Sequence, residues 1–153
     1  MTQKPLKRHK TLQPLSRDHH HGLLLSWKIR SGFNKKIEVE RIKTYTDWFF
    51  MTHLIPHFEL EEQHIFPLLK KDNDLVKRAL SEHRRLKRLF NEENEIEKSL
   101  SKIEEELEHH IRFEERVLFP EIQKIASEEE LVLIEKMHQQ DNFEDNLNDE
   151  FWR

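Results

Sequence analysis

The chain has 153 residues, 37% of them charged, with a formal net charge of −4, two glycines, five prolines and no cysteine. One domain's length can bury a core unaided. The scarcity of turn formers excludes an all-β domain, and the lack of cysteine excludes disulfides, thiolate metal sites and thiol chemistry. Residues 1–13 read as a flexible basic tail, 14–140 as a helical domain and 141–153 as an acidic tail. Lys4, Lys7, Arg8 and Lys10 precede no apolar stretch, so the start is not a secretory signal. No run is long enough to span a membrane. The mild overall acidity speaks against a nucleic-acid partner, and the absence of cysteine fits a cytoplasmic location.

In chain order, Pro14-Leu15-Ser16 opens a first helix, with Ser16 as N-cap, a stripe of Leu23, Leu24 and Trp27, and an end at Ser31-Gly32. A second helix starts near Lys35 and runs through Ile42, Tyr45, Phe49 and His53 to about Phe66, kinked at Pro56. Asp72-Asn73-Asp74 is a loop and cap. A third helix follows with Leu75, Ala79, Leu86, Leu89 and Phe90, and residues 91–95 are a weak break. A fourth covers Ile96 to Ile125, and Ser127 caps a short helix from Leu131 to about His138. In the tail, Phe143, Leu147, Phe151 and Trp152 are candidates to dock on the helices. Helices joined by short loops pack as antiparallel neighbours. The expected fold is all-α, an up-down four-helix bundle with a short C-terminal helical extension.

An internal repeat carries the chemistry. His57, Glu61, Glu62, Phe66 and Pro67 recur as His110, Glu114, Glu115, Phe119 and Pro120, all at a spacing of 53 residues. On a helix, i and i+4 share a face, so His57 with Glu61, and His110 with Glu114, can each reach a metal from one helix. On the third helix, Leu86 and Phe90 at +3 and +7 put His83 on the inward face. On the first helix, Leu23 and Trp27 do the same for His20, with His19 turned about 100° away. A single such His is more often a hydrogen-bonded core residue, and a single His-x-x-x-Glu is often a solvated surface pair. Together they differ, because two carboxylates beside Phe58, Phe66, Phe113 and Phe119 cost several kcal/mol to bury without a cation. Imidazole with carboxylate suits iron, manganese or zinc. The expected ligands are His20, His57, Glu61, His83, His110 and Glu114, with His53 and His64 as weaker candidates and His9, His109 and His138 facing away.

The order Arg-Asp-His-His-His-Gly-Leu-Leu, Ile-Pro-His-Phe-x-x-Glu-Glu-x-x-x-Phe-Pro, Glu-His, His-x-x-x-Glu-Glu resembles hemerythrin-like (HHE cation-binding) domains over about residues 14–125. The resemblance implies a non-haem di-iron centre, two irons bridged by oxide or hydroxide, with zinc or manganese as alternatives. It implies bridging glutamates and an open position for O₂ or nitric oxide, and leaves His19 or His20 as the first ligand. Two departures stand out. Lys87 occupies the place of a second helix-3 His, which His53 could replace, and His110-x-x-x-Glu114 replaces His-x-x-x-x-Asp. The expected function is binding or sensing of O₂, nitric oxide or iron/redox state, with a redox or signalling protein as partner. The alternative is a di-iron oxidoreductase reducing peroxide or nitric oxide, or a di-iron repair protein.

Overall fold

Low glycine content and regular apolar spacing favour helix throughout. The computed structural model describes residues 7–137 and 143–153, and every regular element among them is helical. The first helix, α1 (Gln13–Asn34), begins before Ser16, with Pro14 in its first turn, where a missing N–H costs nothing. Ser16 is therefore no N-cap; its hydroxyl donates to Glu115 Oε2 at 2.9 Å. Nor does the helix end at Gly32. That residue lets two segments approach, since a Cβ there would stand 2.7 Å from Ile42 Cδ1 and 3.0 Å from Phe151 Cδ2.

The second rod starts at Val39. It joins α2 (Val39–Phe49), a π turn (Phe50–Leu54), α3 (Ile55–Leu60), a second π turn (Glu61–Ile65) and a short 3₁₀ turn (Phe66–Leu68). The third is α4 (Asp74–Phe90), capped by Asn73 Oδ1, which accepts from the Leu75 and Val76 amides. After the break at 91–95, the fourth rod comprises α5 (Ile96–Phe113), a π turn (Glu114–Leu118) and α6 (Phe119–Ile125). The short α7 (Glu128–Met137) opens with a capping box, Ser127 and Glu130 bonding each other's backbone N–H.

Pro56, Pro67 and Pro120 each stand two residues after a π turn. Proline lacks the donor and its ring crowds the carbonyl four residues back. The widened turn takes up that break, and Leu54 and Ile55 beside Pro56 keep helical dihedrals. The interruption expected at Pro56 is thus marked by the π turn just before it.

Helix α5 packs along both α1 and α4. One core cluster holds Leu25, Ile29, Ile42, Phe50, Phe90 and Ile103; the other holds Leu15, Phe66, Val76, Leu118 and Phe119. Each such buried side chain contributes about 1.5–3 kcal/mol. In chain order, α1 passes from the second cluster to the first, the second rod returns, α4 passes again and the fourth rod returns. A layer of buried polar side chains interrupts all four passages.

The ends are held. Arg8 bonds the Gln123 side chain and the Glu115 carbonyl, and Thr11 and Leu12 are buried, so packing begins before the boundary expected at residue 13. Residues 143–153 form a strap over α1 and α2. Phe151 and Trp152 are buried, Asp149 pairs with Arg41, and Asp145 meets both Lys28 and the Tyr45 hydroxyl. Leu147 remains exposed. His138, the start of the acidic tail and Lys4 lie outside the described residues. No helix among the described residues is long and apolar enough to cross a membrane.

Candidate metal centre

The buried polar layer is His19 from α1, His57 from α3, Glu61 opening the π turn after it, His83 from α4, His110 from α5 and Glu114 opening the π turn after that. Both glutamates have no exposed surface. The layer forms two donor groups that share both carboxylates. His19, His57, Glu61 and Glu114 form one; His83, His110, Glu61 and Glu114 form the other. The donor atoms of each group lie within 4.8 Å of one another. His19 Nε2 stands 2.8 Å from Glu114 Oε1 and His57 Nε2 3.3 Å from Glu61 Oε1. On the other side, His83 Nε2 stands 3.2 Å from Glu61 Oε1 and His110 Nε2 3.3 Å from Glu114 Oε2.

An outer ring of acids orients every imidazole. His19 Nδ1 donates to Glu115 at 2.9 Å, His57 Nδ1 to Asp18 at 3.0 Å, His83 Nδ1 to Glu62 at 2.8 Å and His110 Nδ1 to Glu82 at 2.7 Å. An ionised carboxylate can only accept, so each Nδ1 carries a proton and each Nε2 is the ring nitrogen turned inward, where a metal would take the place of its proton. The pattern is duplicated. In Asp18-His19 and Glu82-His83, the acid holds the next rod's His. In Glu61-Glu62 and Glu114-Glu115, the first acid enters the centre and the second holds the opposite half's His. Phe66 packs on the His83 ring and Phe119 on the His19 ring, at 5.4 and 5.2 Å. Each recurring residue of the 53-residue repeat therefore has a place: two line the centre, two hold and cover an imidazole, and the proline follows the π turn.

The four Nε2 atoms and all four oxygens of Glu61 and Glu114 are buried without a hydrogen-bond partner, because their close approaches lack hydrogen-bond alignment. Burial opposes ionisation of Glu114, yet His110, His19 and His83 outweigh it and hold its carboxyl well below the usual range. Burial and Glu114 push Glu61 up, but His57 and His19 bring it lower on balance. Burial likewise opposes charge on His57, while Glu61 and Asp18 raise it to about 9. His19 and His83 are raised well above the ordinary value, and His110 is raised, by the carboxylates around them against the cost of burial. Without metal, the layer is thus a set of buried carboxylates paired with protonated imidazoles, whose place metal cations could take. A metal ion satisfies nitrogens and oxygens together, and the donor set of imidazole and carboxylate fits iron, manganese or zinc.

Five of the six expected residues, His57, Glu61, His83, His110 and Glu114, come together. His20 does not: it is exposed, and His19 fills the position. The buried face of α1 is Leu15, His19, Gly22, Ser26 and Ile29, a helical repeat that leaves Leu24 and Trp27 exposed at 37% and 49%. Of Leu23 and Trp27, which suggested His20, Leu23 is only partly buried and Trp27 is half exposed. His53 lies outside both donor groups, against Phe143 at 4.6 Å. His64 is half-buried outside them and His109 is exposed. His9, expected to face solvent, bonds Thr11 and Glu128. Lys87, in the place of the second helix-3 His, stands 3.8 Å from Glu62. The outer acids Asp18, Glu62, Glu82 and Glu115 were missed. One signal could have found two of them and His19 as well: an acid directly precedes the inward His in both Asp18-His19 and Glu82-His83.

A cavity of about 210 Å³ borders His19, His57 and His110, with Phe143 of the strap in its wall. Comparisons with protein-family models, with curated proteins and with solved structures found no significant match for this chain.

Proposed function

We propose that this protein is a non-haem di-iron protein of the hemerythrin-like kind, an up-down four-helix bundle whose centre binds or senses a small diatomic molecule such as O₂ or nitric oxide. The observation that carries the reading is the convergence of four imidazole Nε2 atoms on two fully buried carboxylates, none of the eight donor atoms having a hydrogen-bond partner. The alternating passage of the rods between the two core clusters supports the bundle topology. His19 and His57 would hold one ion and His83 and His110 the other, with Glu61 and Glu114 reaching both. Four protein donors per ion leave positions open on a six-coordinate metal, where it supplies Lewis acidity and electrons to a small ligand.

The chain's own residues contribute three things. Glu61 and Glu114 supply the negative charge that neutralises two cations in a dry layer. Asp18, Glu62, Glu82 and Glu115 keep each Nδ1 protonated and so keep each Nε2 free, which raises ligand basicity. The packed phenylalanines exclude water on the His83 side. A redox or signalling protein would receive the output. A second reading, an oxidoreductase acting on peroxide or nitric oxide or a di-iron repair protein, is favoured by the cavity, which gives a reactant room beside the centre.

The test is elemental analysis after anaerobic loading with ferrous iron and desalting. About two irons per chain is the expected result. Near zero iron, with no zinc or manganese retained under the same treatment, overturns the reading.

A further inference from the structure

The cavity beside the centre exceeds what a two-atom ligand needs. It measures about 210 Å³, whereas an engineered apolar cavity of about 150 Å³ holds benzene and one water takes about 30 Å³. Its walls are mostly apolar, with Phe49, Leu54, Leu107, Ile111 and Phe143 among them. Among the described residues no lysine or arginine lines it, so its basic groups are histidines alone. The carboxylate of Asp18, in the wall, is engaged by His57 Nδ1. One polar group at the edge is unspent. His21 stacks on Phe143 at 3.9 Å, and its Nδ1 is buried without a hydrogen-bond partner.

The cavity borders three of the four inward imidazoles but not His83, on which Phe58 stacks at 3.8 Å. Gly22 is pressed against Ile111, where a Cβ would stand 2.6 Å from Ile111 Cδ1.

We propose that this cavity binds a small uncharged organic molecule of about benzene size carrying one hydroxyl-like group, seated between the His19–His57–His110 edge and His21. As the ligand of a metal centre, it rests on the function proposed above; as the occupant of the cavity, it does not.

The experiment is calorimetric titration of the full chain, metal-free and iron-loaded, with phenol as the probe and phenyl phosphate and benzylammonium as charged controls. Two variants block the space: Thr52→Trp at the exposed rim and Leu107→Phe inside. The expected result is one phenol per chain, at least tenfold weaker in at least one variant that keeps its helicity, and charged probes at least tenfold weaker than phenol. Absence of saturable phenol binding, phenol binding unchanged in both variants, or a charged probe binding as well as phenol overturns the proposal. Metal content measured on the same samples separates the two failures. Two irons without phenol binding refutes only the cavity ligand, and phenol binding without metal refutes only the metal centre.

Discussion

His19 and His83 hold matching positions in the two halves of the centre, each held by an acid of the opposite repeat and covered by that repeat's phenylalanine. Their surroundings diverge. His83 carries a second aromatic, Phe58, on its ring, while His19 borders the cavity. Donors on one helix face are duplicated by repeating a short motif, whereas access depends on the size of neighbours outside it. Phe58 on the ring of His83 and the cavity beside His19 mark the difference.

The sharpest break of this comparison is between shared and unshared donors. Glu61 and Glu114 each belong to both donor groups, whereas His19 and His83 belong to one each. Glu61→Ala or Glu114→Ala should lower bound iron from about two per chain to near zero. His19→Ala or His83→Ala should leave about one, counted by elemental analysis of folded protein. Equal losses for all four would mean that the halves are not separate sites.

Next come the outer acids. Glu115→Gln and Glu62→Gln each remove the charge that orients one imidazole, and should weaken metal binding by about 10–100-fold, read by competition with a coloured chelator. Comparable losses would show the two halves to be equivalent in their support; a loss at only one would show that the duplication is superficial.

A third expectation concerns protons in place of metal. The His57 pKa in the metal-free protein is about 9, above the unfolded value of about 6.5. A raised folded pKa adds stability that is full below the unfolded value and is lost as pH rises through the folded one. The melting temperature of the metal-free protein should fall from about pH 6.5 to 9, and the loaded protein should show a flatter profile because the metal displaces that proton. A rising profile in the metal-free protein would contradict the assignment. The smallest effect belongs to the exposed neighbour: His20→Ala should leave metal content unchanged and alter stability by no more than about 0.5 kcal/mol, checked by elemental analysis and denaturant unfolding.

Much of the centre was legible in the chain. His57 with Glu61 and His110 with Glu114 follow from helical spacing alone, and the repeat marks them as a pair. His83 is identified by its own apolar face. His19 was not, because three adjacent histidines differ only in angle and the nearby bulky Leu23 and Trp27 point to a face that solvent covers about half of at Trp27. The strap was only half legible: Phe151 and Trp152 bury themselves while Leu147 stays out. Their partners, Tyr45 at 5.7 and 5.0 Å, come from a distant segment.

The chain by itself determined what is local. Helix period, prolines and the His-x-x-x-Glu-Glu spacing depend on neighbours a few residues away, and these set the helices and five of the six inward residues. Tertiary packing alone decided which first-helix histidine turns inward, which acid holds which imidazole and where the cavity lies. Those outcomes depend on side chains tens of residues apart meeting at hydrogen-bond distance, and on a glycine in one rod facing an isoleucine in another. No spacing along a single helix encodes either.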